Sequence, residues 1–250
     1  MSNPKAIGIV LAALVWSGSA QAAEIKVLSA GALEPAMRAL AADFTARTGD
    51  KLNIDFHTSA EMRERSQAGP LSVDVVATPD PLTAEFASAG RTSGNPLPVG
   101  RIGIGVAVRT GDPVPDISTV AAFRTALLAA HSVLFNRASS GMGVEKMIQN
   151  LGLSNELAAR TQRFPNAESV MKQLIAGERG DLAMGAPTAI SLYTSKGLRY
   201  VGPIPAELQS YTAYAVALTP GASPMAHKLM EYLATAEARK IFAAKGVMPQ

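Results

Sequence analysis

The sequence contains no cysteine, which excludes a disulfide framework, a thiolate metal site and a cysteine nucleophile. Histidine is nearly as scarce. His57, His131 and His227 lie far apart, so no pair has metal-ligand spacing, and neither a metal nor another cofactor is expected. No G-x-S-x-G elbow, H-E-x-x-H helix or Walker-type lysine loop occurs, which removes the commonest signatures of serine hydrolases, zinc peptidases and P-loop enzymes. An excess of charge of one sign is also lacking. The 23 basic and 20 acidic residues leave a formal charge of +3, and the basic residues are scattered, so no nucleic-acid partner is expected. Beyond the first segment no apolar run approaches the ~20 residues that cross a bilayer.

That first segment has its own pattern. Lys5 supplies a positive start, Ala6 to Trp16 is apolar throughout, and Ala20-Gln21-Ala22 places small residues at a cleavage position. It reads as a secretory signal peptide over residues 1–22, cleaved after Ala22, and predicts a periplasmic address. No cysteine follows the apolar run, so a lipid anchor at a mature N-terminal cysteine is excluded, and a monomer without a membrane anchor is expected.

From Ile25 onward, β-rich runs alternate with helical periods. Ile25–Leu28 predicts a strand, and Leu33, Met37, Leu40 and Phe44 mark one face of a helix. Further strands are expected at Leu52–Phe56 and Val73–Ala77, with a helix around Leu82–Ala89 stopped by Gly90. The Gly-, Pro- and Ser-rich stretch from Arg91 to Val99 reads as a connection, and Ile102–Val108 as one strand. A second alternating set runs from Thr119 to Val201. Tyr211–Leu218 gives another β run, and two helices close the chain. This alternation argues for an α/β fold with mostly parallel pairing and helices on both faces. Two βα sets joined by two crossing strands predict a second lobe inserted into the first, with residues 23–101 and 216–250 forming lobe 1 and 102–215 lobe 2. The natural ligand site is then the cleft between the lobes, beyond the carboxyl ends of the strands.

Three strand-to-helix turns carry candidate chemistry. Ser29-Ala30-Gly31-Ala32 is small enough for a ligand to approach backbone N–H groups at a positive helix end. His57-Thr58-Ser59 follows the second strand; Thr58 has Glu61 three residues on, so a capping box and a ligand contact are both open. Asn136 to Gly143 sets Arg137, Ser139, Ser140 and Gly141 before a helix, a composition suited to cradling an anion. Its Gly141-x-Gly143 pair lacks the third glycine of a dinucleotide loop, because Lys146 stands there. His57 ends a strand at the expected cleft, where it could bind an anion or exchange a proton near neutral pH.

These turns carry a resemblance. The run Ile25 to Leu33, the tetrad Phe56-His57-Thr58-Ser59, the pair Ser140-Gly141, the tetrad Ala167-Glu168-Ser169-Val170 and the tail Glu237–Gln250 resemble the periplasmic molybdate-binding proteins of the type II solute-binding superfamily. The resemblance implies a two-lobed fold with two mixed sheets flanked by helices, anion binding by hydroxyls and backbone N–H groups, and delivery to an ABC-type importer. Carried over position by position, it implies ligand contacts at Ser29, Gly31, Ala32, Thr58, Ser59, Ser140, Gly141, Val170 and Ala186. The sequence departs from the pattern at two of these: Ala32 stands where the first loop usually presents a serine, and Ala186 where the last loop presents a tyrosine. His57, Arg137 and the Ser139-Ser140 pair supply positive charge and extra donors instead, which suits a carboxylate better than molybdate. A receptor for an organic polycarboxylate is therefore expected. The alternative rests on a nearby branch that the chain also resembles, the aconitate isomerases, in which His57 would be the base that moves an allylic proton.

Overall fold

The computed structural model describes residues 24–250; the leader expected over 1–22 and its cleavage position lie outside them. The first part of the chain forms β1 (Glu24–Ala30), α1 (Glu34–Thr48), β2 (Lys51–His57), α2 (Ser59–Ala68), β3 (Val75–Pro79), α3 (Asp80–Ser88) and β4 (Ser93–Ile102). The middle forms β5 (Gly105–Arg109), α4 (Val120–Ala129), β6 (Val133–Asn136), α5 (Ser139–Asn150), α6 (Ser154–Leu157) and β7 (Thr161–Phe164). It continues through α7 (Ala167–Ala176), β8 (Leu182–Gly185), α8 (Pro187–Ser191) and β9 (Leu198–Pro203). The chain then closes with β10 (Thr212–Leu218), α9 (Pro224–Leu233) and α10 (Ala236–Ala244).

The strands make two five-stranded sheets, ordered β2-β1-β3-β10-β4 and β7-β6-β8-β5-β9. In the first, β1 pairs parallel with β2 and β3, while β10 runs antiparallel between β3 and β4. In the second, β6 pairs parallel with β7 and β8, while β5 runs antiparallel between β8 and β9. Both sheets are thus mixed, not mostly parallel. The antiparallel members are the strands that carry the chain from one sheet to the other and back. Residues 212–215, expected in the second lobe, belong to β10 of the first sheet, where Thr212 and Ala213 pair with Ile102 and Arg101 of β4 and Tyr214 and Ala215 with Pro79 and Thr78 of β3.

Local patterning explains most of these elements. The stripe Leu33, Met37, Leu40 and Phe44 is at most 1% exposed, and burying such side chains contributes roughly 1.5–3 kcal/mol each. Gly49 ends α1 in the left-handed region at φ 81°, which glycine adopts without a Cβ clash. The stretch Arg91 to Val99 is not a simple connection, because most of it belongs to the edge strand β4. An edge strand tolerates Pro96 and Pro98, since an outward-facing N–H has no ladder partner to lose.

Nor is Ile102–Val108 one strand. It breaks at Gly103-Ile104, where the chain leaves one sheet for the other. The side chain of Gln209, on the returning segment, satisfies the backbone at this buried break: its Oε1 accepts from the Ile104 N–H at 2.7 Å, and its Nε2 donates to the Ile104 carbonyl at 2.9 Å. Each sheet has its own apolar core. Two elements of the second sheet reach the core of the first: Ala167 at the start of α7 packs against it, and Ala189 of α8, which follows β8, packs into it. The Thr188 hydroxyl donates to the Ala32 carbonyl at 2.7 Å, and Thr188 is 2% exposed.

Candidate functional site

A cleft of about 520 Å³ lies between the two sheets. Its walls come from where parallel strands end and helices begin, the position at which open α/β sheets bind ligands. Gly31 and Ala32 follow β1, Thr58 and Ser59 follow β2, Ser139 and Ser140 open α5, Ala167 and Glu168 open α7, and Ala186 precedes α8. Each helix start carries backbone N–H groups without an intrahelical acceptor and the positive end of a helix dipole.

These starts differ in how far the protein satisfies them. At α2 the Thr58 hydroxyl accepts from the Glu61 N–H at 3.3 Å, and the Glu61 carboxylate accepts from the Thr58 N–H at 2.7 Å, a complete capping box. At α7 Asn166 Oδ1 accepts from the Ser169 N–H at 2.9 Å. The starts of α5 and α8 have no side-chain cap, and neither has the 3-10 turn Gly31–Leu33 that leads into α1. The amides around Gly31, Ala32, Ser139 and Ser140 therefore face the cleft without a capping side chain.

His57 lines the cleft with its side chain 18% exposed. Its Nδ1 is 3.4 Å from Glu61 Oε2. Its Nε2 is 2.8 Å from Asp55 Oδ1 but out of line for a hydrogen bond. Burial pushes the Asp55 carboxyl up, but the contacts to His57 and Arg65 outweigh it and hold the group below the ordinary carboxylate range. The Glu61 carboxyl is also held low, first by the Thr58 backbone N–H, against the opposing effect of burial. Tyr214, 3% exposed on β10, lines the floor, and burial pushes its phenol up, so it stays neutral.

Of the residues expected in the site, Gly31, Ala32, His57, Thr58, Ser59, Ser139, Ser140 and Ala186 line this one cleft. The others do not. Ser29 is fully buried, with its hydroxyl donating to the Ala30 carbonyl at 3.3 Å. Arg137 is exposed outside the lining, and its backbone N–H is taken by the Phe164 carbonyl. Gly141 is buried against Asn136, and Val170 is core on α7 at 0% exposure. Cleft cations come instead from Arg38 and Lys196, and tyrosines from Tyr193 and Tyr214. Arg38 sits one turn inside α1 and could have been found by extending the first loop along its helix. Lys196 and Tyr193 belong to a segment whose composition gives no such signal.

Two facing lobes with helix starts around a shared cleft define the class of a solute-binding protein. The chain belongs to the bacterial extracellular solute-binding protein family, whose sequence model matches residues 25–247. It is 29% identical over 235 residues to an aconitate isomerase of Pseudomonas sp., covering 90% of this chain and 87% of that protein. Among solved structures it is similar to the periplasmic molybdate-binding protein of Azotobacter vinelandii, with a TM-score of 0.74 at 18% identity over 90% of this chain and 100% of that one. It is also similar to L-phospholactate-bound PEB3, a Campylobacter jejuni protein, with a TM-score of 0.69 at 17% identity over 90% of this chain and 100% of that one. No helix of the described residues is long and apolar enough to cross a membrane.

Proposed function

We propose that this chain is a periplasmic receptor that closes over a small organic polycarboxylate and presents it to an ABC-type importer. The observation that carries this reading is the convergence of uncapped helix starts, at Gly31-Ala32 and Ser139-Ser140, on one 520 Å³ cleft. Such starts favour anions. The volume belongs to the range of small organic ligands and far exceeds what a four-oxygen anion fills. The departures at Ala32 and Ala186 act in the same direction, since both remove a side-chain donor that would grip a compact oxyanion.

A thermal-shift panel of citrate, trans-aconitate, sulfate and molybdate tests the reading. A ligand at 100 times its Kd stabilises by about 2.7 kcal/mol, so a carboxylate should raise Tm where molybdate does not. Stabilisation by molybdate or sulfate alone would overturn it.

A second reading is favoured by one specific observation, the aconitate isomerase relative that aligns over 90% of the chain. Isomerisation of trans- to cis-aconitate removes a proton from one carbon of an allylic unit and returns one to the other, with no net change in atoms or electrons. In this reading His57 is the base, acting through Nδ1, since its 3.4 Å contact to Glu61 is long and that carboxylate is already held by the Thr58 N–H. Conversion of trans-aconitate, followed by ultraviolet absorbance and abolished in His57→Gln, would establish the enzyme. Binding without conversion would leave the receptor.

A further inference from the structure

We propose that Arg38 and Lys196, one from each half of the cleft, form an outer subsite that holds a second carboxylate and makes the site selective for polycarboxylates. This deepens the carboxylate reading above and rests on it. Both residues line the cleft and both are exposed, so they stand at its outer edge while the helix starts form its depth. Arg38 lies on α1 against the first sheet; Lys196 ends the 3-10 turn Thr194–Lys196 between α8 and β9 of the second.

A chain of close groups brings the two cations to the same rim. Arg38 Nε donates to Glu34 at 2.8 Å. Glu34 and Tyr193 line the same cleft, and α1, which carries Glu34 and Arg38, packs against α8, which ends two residues before Tyr193. Lys196 Nζ is 4.8 Å from the Tyr193 ring centre.

Two of the lining carboxylates are committed elsewhere, Glu61 to the capping box and Glu168 to Lys172 Nζ at 2.6 Å, while Glu34 pairs with Arg38 itself and offsets part of its charge. Lys196, by contrast, has no carboxylate partner among the described residues, only the Tyr193 ring. The Arg38 pair uses Nε alone, leaving both Nη atoms without a protein acceptor among the described residues. The ring of Phe56, 5.0 Å below the guanidinium, steadies its plane. A free guanidinium edge and an ammonium form a suitable clamp for a planar carboxylate. An inorganic oxyanion or a monocarboxylate seated on the helix starts would leave this clamp empty.

The test is calorimetric titration of the full secreted chain with citrate and with sulfate, in wild type, Arg38→Gln, Lys196→Gln and Lys196→Arg. Both side chains are exposed, so these variants retain the fold. Citrate affinity should fall at least about tenfold in each glutamine variant, with Lys196→Arg retaining most of it, while any response to sulfate changes less than about twofold. Unchanged citrate affinity in both glutamine variants would overturn the subsite. So would an equal loss for citrate and sulfate, the mark of diffuse charge and not of a second contact. Wild-type protein that binds no carboxylate would overturn the proposed function itself, and the two failures are therefore distinct.

Discussion

Replacing Gly141 by alanine should be far more damaging than the same change two residues along at Gly143. A Cβ at Gly141 would lie 1.6 Å from the Asn136 carbonyl oxygen and 2.6 Å from its carbon. Both are backbone atoms at the end of β6, and the next residue's N–H is fixed to the Phe164 carbonyl at 2.9 Å. No rotamer change relieves such a contact, so α5 must move away from the sheet.

Alanine in a helix gains roughly 0.5–1 kcal/mol over glycine, while overpacking against a rigid partner costs about 1–3 kcal/mol and occasionally more. For so close an approach the upper end applies, leaving a net loss of about 2 kcal/mol or more. In a chain of this size each kcal/mol lowers Tm by roughly 2–4 °C, so Gly141→Ala should melt about 4–8 °C below wild type. At Gly143 the Cβ would meet Ser210 Oγ at 2.8 Å and Ile104 Cδ1 at 3.0 Å. Both are side-chain ends that can swing aside, and the helix gain offsets most of the cost, so Tm should change by less than about 3 °C. Scanning calorimetry of the two variants reads the difference. Because Ser139 and Ser140 open the same helix, Gly141→Ala should also reduce the stabilisation by citrate. A Gly141→Ala protein that melts with wild type would refute the steric account.

Three further outcomes are expected. Thr188→Val keeps the volume but leaves the Ala32 carbonyl without its 2.7 Å donor, and should lower unfolding free energy by about 1–3 kcal/mol; an unchanged urea midpoint would show that this contact between the halves is idle. Gln209→Leu removes both bonds to the Ile104 backbone at the crossing between sheets, with a loss of about 1–3 kcal/mol readable in the same denaturation series, and full stability would refute the clamp. The Glu61 carboxyl titrates below its ordinary 4.5 when folded, chiefly through the Thr58 N–H. Its contribution is thus complete above that value and lost as pH falls through the folded pKa. Glu61→Gln should therefore lose less stability than wild type on acidification below pH 4.5, and parallel acid-unfolding curves would contradict this.

What the sequence determined by itself was local. The spacing of Leu33, Met37, Leu40 and Phe44 dictates one buried helix face, Gly49 its end, and Thr58 with Glu61 the cap of α2, because periodicity, φ preference and capping act within a few residues. The small and hydroxylated turns after β1, β2 and β6, which line the cleft, were legible as strand-to-helix turns for the same reason. Tertiary structure decided the rest. Only the return of β10 between β3 and β4 makes the first sheet mixed, and only that pairing turns Arg91 to Val99 from an apparent connection into an edge strand. Arg137 sits in a loop beside the cleft, yet it is exposed outside the lining, whereas Arg38 and Lys196, 158 positions apart in the numbering, line one cleft. Which cations line the cleft depends on how two sheets face each other, and sequence distance carries no information about that.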